Sequence, residues 1–288
     1  MEGKILANIR GTYTIYKDGV NYNVFSRGHL RHQNKNLLVG DNVIFDDETL
    51  TIEDVLPRKN ELIRPKSANI DELLIAMSLR EPDYSLELIY KFLTYANMNN
   101  IHASVVLTKA DLLDDFSEVN ILVKDLEKLN IKVFVISKND LEKVNELKEY
   151  LKGKTTLFMG QTGVGKSTLM NEIDPSFNRL VGEYSLALNR GKHKTKEVIL
   201  YAYNDGYIGD SPGFSSLELD IFKEDLATYF PGYNAHYLDC YFSDCLHQNE
   251  KDCKIKEEIK KGSLSQDAYQ VYLKLLKELE YRKERYKR

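Results

Sequence analysis

The chain has 288 residues, 42% of them hydrophobic, with 40 Lys and Arg against 44 Asp and Glu for a net charge of −4. At about 100–200 residues per domain, that length predicts two or three domains with ordinary cores and excludes a wholly disordered chain. No apolar run approaches the ~20 residues that span a bilayer, and the start, MEGKILANIRG, lacks a signal-type apolar segment. The expectation is a soluble, cytoplasmic protein with no membrane partner.

Charge is unevenly spread. Residues 67–250 hold 18 basic against 28 acidic side chains, whereas residues 251–288 hold 12 against 7. An acidic centre with a basic end suits a protein whose end meets a polyanion, although a solvated helix would look the same.

Residues 1–66 predict short strands in a small barrel or sandwich: KILANIRGTYTIYKDG, GVNYNVFSRG after a Lys-Asp-Gly turn, and two more within VGDNVIFDDETLTIEDVL. PRKNELIRP, with Pro57 and Pro65, reads as a linker. From residue 68 the pattern becomes strand–helix alternation. Strands are expected at 72–79, 103–109, 132–137 and 155–160, with helices at 86–100, 118–130 and 140–152. Buried strands separated by amphipathic helices predict a mainly parallel sheet covered on both faces. YAYNDGYIGD reads as a further strand, and after residue 220 the strands give way to a long charged helix near 264–287.

Gly160-Gln161-Thr162-Gly163-Val164-Gly165-Lys166-Ser167-Thr168 fits G-x-x-x-x-G-K-[ST], with a strand before it and a helix after it. The glycines let backbone N–H groups surround phosphates at a helix N-terminus that already favours anions. Lys166 can reach the β and γ oxygens, and Ser167 can offer a hydroxyl to Mg²⁺. Downstream, Asp210-Ser-Pro-Gly213 ends a strand, so Asp210 can hold Mg²⁺ through water and the Gly213 N–H can approach the γ-phosphate. Between them, Gly191-Lys-His193-Lys-Thr195 has the composition of a mobile loop, with Thr195 the candidate for a second Mg²⁺ hydroxyl.

Thr108-Lys109-Ala-Asp111 follows a strand and corresponds to the Asn-Lys-x-Asp by which P-loop GTPases read guanine. The Asp111 carboxylate would accept two hydrogen bonds from that base, which adenine cannot give. Lys109 would cover the base with its stem. Thr108 stands where Asn is usual and has shorter reach and fewer donors, so weaker affinity is expected. Ile136-Ser137-Lys138 is the companion loop. These base-reading motifs precede the phosphate loop, reversing the usual order, as a circular permutation at surface loops would produce.

Cys240-x4-Cys245-x-His247-x5-Cys253 supplies three thiolates and one imidazole, the donor set of a closed tetrahedral zinc site, so one structural Zn²⁺ is expected. His236 lies outside the spacing. The residue after Gly213 is Phe214, which cannot orient a hydrolytic water; His193 is the nearest polar candidate for that role.

With TKAD at 108–111, GQTGVGKST at 160–168, DSPGF at 210–214, the Cys/His cluster at 240–253, LPRKNELIRP, ANIDE and VGD, the chain resembles the circularly permuted RsgA (YjeQ/YloQ) GTPases over essentially its whole length. The resemblance implies a multidomain α/β protein. Its parts would be an N-terminal OB-fold β-barrel (1–66), a circularly permuted P-loop GTPase domain (67–220) and a C-terminal helical zinc-binding domain (221–288). It also implies GTP and GDP as ligands, a water-orienting His in the loop around residue 193, and late maturation of the small (30S) ribosomal subunit as the task, with that subunit stimulating hydrolysis. Tyr13, Tyr16, Tyr22 and Phe25, interleaved with Arg10, Lys17, Arg27 and Arg31, could face rRNA. So could the basic tail, which also carries Tyr269, Tyr272, Leu276, Leu279 and Tyr286 at roughly helical spacing. The alternatives are a P-loop ATPase or kinase, against which Asp111 argues, and an RNA-binding scaffold that keeps GTP as a structural ligand. Nothing in the sequence demands a dimer, so a monomer is expected.

Overall fold

The first five strands alternate apolar and polar residues and are too short to be stable alone; closing on one another removes their unpaired edges. In the computed structural model, which describes residues 1–26, 36–177, 198–211 and 217–280, β1 (Glu2–Ile9), β2 (Thr12–Lys17), β3 (Val20–Ser26), β4 (Asn42–Asp46) and β5 (Thr51–Val55) form a closed barrel in the order β1-β2-β3-β5-β4. Ile5, Ile15, Val24, Val43, Phe45 and Ile52 fill it without exposure to solvent. The segment KILANIRGTYTIYKDG is two strands, because Arg10 and Gly11 both take positive φ and reverse the chain. Of the barrel aromatics, Tyr22 packs on Phe45 and Tyr16 edge-on against Tyr207, while Phe25 is 56% exposed. Arg27 and Arg31 lie outside the described residues.

The expected linker is instead ordered structure. β6 (Glu61–Ile63) and β7 (Lys66–Ala68) form an antiparallel ribbon, and the polar residues around it stitch barrel to sheet. The fully buried Asp41 accepts from Leu38 N at 2.7 Å and from Arg58 Nε and Nη2 at 2.7 and 2.8 Å. Asn60 exchanges two hydrogen bonds with the Ile70 backbone, and Asn69 joins Lys59 N to Gly40 O. Gly40 has φ 94°, and a Cβ there would lie 2.0 Å from Ala68 O. Proline and charge in sequence suggested a spacer; their partners on VGD and ANID make a brace.

The second unit follows as β8 (Glu72–Ser78), α1 (Leu86–Met98), β9 (His102–Thr108), α2 (Ser117–Lys128), β10 (Val133–Val135), α3 (Leu141–Leu151), β11 (Thr155–Gly160), α4 (Lys166–Ile173), β12 (Ile199–Tyr203) and β13 (Gly206–Asp210). The sheet runs β10-β9-β8-β11-β13-β12, parallel except for β12. Every β8 residue is buried, Leu73, Ile75 and Met77 in the core that also takes α1 and α2, Leu74 and Ala76 in the one under α3 and α4. YAYNDGYIGD is a hairpin, not one strand, since Asn204 and Asp205 have φ 40° and 60° and return the chain antiparallel.

The C-terminal part has α5 (Leu226–Tyr229), α6 (Lys254–Lys260) and α7 (Gln266–Glu280). It docks on α1 through Tyr90, whose ring stacks on Phe230 at 5.2 Å and 8°, through Lys91 between Glu87 and Glu278, and through Asn97 to Tyr229 O. The apolar stripe of α7, including Tyr272, Leu275 and Leu276, faces inward. No helix among the described residues is long and apolar enough to cross a membrane.

Arg58→Ala leaves the Asp41 carboxylate buried without its cation, and should lower unfolding free energy by about 2–3 kcal/mol in urea titration. Adding Asp41→Ala to that variant should recover part of the loss, because the lone buried charge is then gone.

Candidate functional site

The phosphate loop begins where two strands touch. Gly160 pairs with Ala76 of β8 and has φ 152°; a Cβ there would lie 2.1 Å from Ala76 O, so only glycine fits. Gly163 and Gly165, at φ 85° and 92°, turn the loop into α4. Thr162, Ser167 and Thr168 are exposed around the helix N-terminus, which has amide N–H groups and positive dipole to offer an anion. Lys166 is buried, its Nζ donating to Gly160 O at 3.0 Å and Gln161 O at 2.8 Å, with a third N–H to spare. Burial pulls its pKa down, and the Asp210 charge partly restores it. Asp210, at the end of β13, is raised by burial and lowered by Lys166.

Two buried oxygens at this end of the sheet, Asp210 Oδ1 and Gln161 Oε1, have no partner among the described residues. A buried acceptor pays desolvation unless something donates to it or coordinates it. An unpartnered carboxylate oxygen in a site with the Ser167 hydroxyl fits a hard cation that takes oxygen ligands.

The TKAD loop is tied to this one. Thr108 Oγ1 lies 2.5 Å from Val164 O and 3.3 Å from Met77 O, so its hydroxyl faces the phosphate loop. The sequence suggested a weakened base contact at Thr108; the structure makes that residue a strut between the two loops. Lys109 takes φ 58°, and its Nζ donates to Glu81 O. Asp111 Oδ1 accepts from Lys138 N at 2.9 Å, and Ala110 N donates to Ile136 O, so TKAD and ISK form one edge. Thr108, Lys109, Asp111, Ser137, Lys138 and Gly165 line a cavity of about 420 Å³. His193, Thr195, Gly213 and Phe214 lie outside the described residues.

The cysteine cluster forms a second site. The donor atoms of Cys240, Cys245, His247 and Cys253 all lie within 4.8 Å of one another. His247 Nδ1 is 3.5, 3.4 and 3.4 Å from the sulfurs of Cys240, Cys245 and Cys253, and the Cys240 and Cys253 sulfurs are 4.0 Å apart. Zn–S and Zn–N bonds of about 2.3 and 2.0 Å in a tetrahedron require S···S of about 3.8 Å and S···N of about 3.5 Å. Burial, reinforced by neighbouring sulfur, pushes the Cys245 thiol up to about 12, and burial lowers His247 to about 4, keeping the imidazole neutral. Donor set and spacing are compatible with zinc. Lys254 N donates to Cys240 Sγ, and Tyr269 and Tyr272 bond the carbonyls of His247 and Leu246, fixing the cluster to α7.

The RsgA GTPase family model matches residues 55–220, and the RsgA N-terminal domain model residues 2–51. The chain belongs to the RsgA GTPase family. It is 36% identical over 294 residues to the small ribosomal subunit biogenesis GTPase RsgA of Enterococcus faecalis, covering 100% of this chain and 98% of that one. The Streptococcus pneumoniae protein of the same name is 39% identical over 292 residues, again covering 100% and 98%. Among solved structures, YjeQ from Thermotoga maritima superposes with a TM-score of 0.84 at 33% identity, covering 98% of this chain and 99% of that one. YloQ, a circularly permuted GTPase, gives 0.81 at 31%, covering 99% and 96%. This RsgA-family chain is thus a GTPase, with a guanine nucleotide as its ligand and the permuted order that its motifs suggested.

Glu81, Leu112 and Glu172 also line this cavity, and no sequence motif marks them. The signal for Glu81 was its place just past the carboxyl end of β8, where open α/β sheets bind ligands.

Thr108→Val keeps shape but strands the Val164 carbonyl and frees the two loops from each other. GDP affinity should fall about five- to ten-fold by equilibrium titration, at a stability cost of about 1–2 kcal/mol.

Proposed function

We propose that the chain acts on the small (30S) ribosomal subunit during its late maturation, using GTP hydrolysis to leave the particle. What supports the nucleotide part is the tie between Thr108 and Val164, which sets a guanine-reading carboxylate and a phosphate loop in one site. The partner follows from the relatives, which are named small ribosomal subunit biogenesis GTPases.

The phosphates lie along the loop formed by Gly160, Gln161, Thr162, Gly163, Val164, Gly165, Lys166, Ser167 and Thr168, with the free N–H of Lys166 toward the β and γ oxygens. Asp111 accepts from the guanine edge, the Lys109 stem covers the ring, and Ser137 and Lys138 close the far side. Ser167 and Thr195, with Asp210 through water, would hold Mg²⁺, which would supply positive charge beside the phosphate oxygens. Phe214 stands after Gly213 and can orient no water, so that task goes to His193. Contact with rRNA stimulates the hydrolytic step that His193 and Thr195 serve. Turnover is therefore slow alone and fast on the particle.

The barrel (1–66) and the C-terminal part (221–288) flank the GTPase domain (67–220) and supply the docking surfaces. Cys240, Cys245, His247 and Cys253 hold one structural Zn²⁺, a site with no open position for catalysis. The basic sequence after α7, YRKERYKR, meets rRNA phosphate, so association weakens with salt. The protein works as a cytoplasmic monomer.

The test is GTP turnover, with ATP as control, alone and with purified small or large ribosomal subunits. GTP turnover should rise strongly with the small subunit only, and Lys166→Ala should abolish it. Turnover indifferent to ribosomes would remove the partner. Normal small-subunit maturation with the Lys166→Ala chain would favour the scaffold reading instead.

A further inference from the structure

The nucleotide pose just proposed assigns protein partners to the phosphates and the base and none to the sugar. With phosphates on Gly160–Thr168 and the base at Asp111, the ribose lies between those two motifs. The segment that joins β8 to α1 spans that interval. Pro82 meets the phosphate loop, since a Cβ at Gly163 would lie 3.8 Å from Pro82 Cδ. Its neighbour Glu81 meets the base motif, its carbonyl accepting from Lys109 Nζ.

This segment is held in place from several sides. Ser78 Oγ donates to Pro82 O at 2.5 Å, Leu79 N to Thr108 O at 2.9 Å, and Arg80 pairs with Asp83 at 3.4 Å. Glu81 itself is in the left-handed region, with φ 53°. Its residue lines the nucleotide cavity beside Lys109, Asp111 and Gly165, and its carboxylate makes no hydrogen bond or ion pair with any described residue.

An ionised carboxylate is an acceptor only, with two oxygens to offer. Ribose presents two neighbouring hydroxyl donors at C2′ and C3′. We infer that Glu81 is the ribose-reading residue of the site, accepting hydrogen bonds from both hydroxyls across the gap between the phosphate loop and TKAD. Glu172 also lines the cavity, but near the C-terminal end of α4 rather than between the two motifs. The inference depends on the guanine-nucleotide reading of the same cavity, and its consequence is selectivity for ribonucleotides over sugar-deoxygenated analogues.

Equilibrium binding of GDP and 2′,3′-dideoxy-GDP to the full chain tests it, using diphosphates so that no hydrolysis intervenes. The unaltered chain should prefer GDP about ten-fold, the effect of a charge-assisted hydrogen bond at a partly solvated site. Glu81→Ala should bind GDP about ten-fold more weakly and the dideoxy analogue within about two-fold of the unaltered chain. Glu81→Gln, which keeps a carbonyl acceptor, should retain part of the preference. Full preference in Glu81→Ala, an equal loss for both ligands, or loss of the preference in Glu172→Ala instead would overturn the assignment. An unaltered chain that binds neither ligand would overturn the guanine-site reading itself, and the ribose assignment with it.

Discussion

Two contacts at the carboxyl end of the sheet hold the site together: the backbone of Gly160 pressed on Ala76, and the Thr108 hydroxyl against the Val164 carbonyl. The first forces a glycine and fixes where the phosphate loop leaves β11. The second fixes the TKAD loop after β9 to that same loop across β8. Both join central strands of a sheet buried on each face, where a shift would disturb both cores. A permuted chain separates the motifs differently in sequence, yet these contacts are indifferent to the order in which the strands were made. Neighbouring strands and hydrogen bonds define the site, and chain connectivity does not.

The flanking parts are joined to this unit by chemistry of different kinds. On the barrel side the join is polar and directional: Asp41 with Arg58, and Asn60 and Asn69 on backbone groups. On the C-terminal side it is aromatic, with Tyr90 stacked on Phe230 and Tyr233 and Tyr272 packed around that ring. Helix α1 carries that second join and is itself led in by the segment holding Glu81 and Pro82. A single short segment therefore lies between the cavity lined by TKAD and the helix on which the cysteine-bearing part is seated.

Much of this was legible in residue order. Period-2 strands, buried runs alternating with amphipathic helices, and G-x-x-x-x-G-K-S between a strand and a helix placed the sheet, the phosphate loop and the base loop. Three cysteines and one histidine within fourteen residues named the donor set that the structure gathers within 4.8 Å. What escaped depended on partners distant in sequence. PRKNELIRP looked like a spacer because Asp41 and Ile70, which order it, lie outside it. The reversals at Arg10-Gly11 and Asn204-Asp205 are faint in sequence because positive φ at a non-glycine such as Arg10, Asn204 or Asp205 leaves only a weak local trace. Thr108 looked like a poorer Asn because the Val164 carbonyl it meets is 56 residues away.

The proposed function depends most on guanine reading by Asp111, in the cavity held to the phosphate loop. Its most direct test is the affinity of the Asp111→Asn chain for GDP and for xanthosine diphosphate, whose base carries a carbonyl where guanine has an amine. Asparagine can still accept from Lys138 N, but it turns an amide donor toward the guanine amine, a repulsive pairing, and toward the xanthine carbonyl, a favourable one. Guanine reading by Asp111 requires that GDP binding fall by about two orders of magnitude while xanthosine diphosphate binding rises above it. Unchanged preference for GDP would contradict it and place guanine recognition elsewhere in the chain.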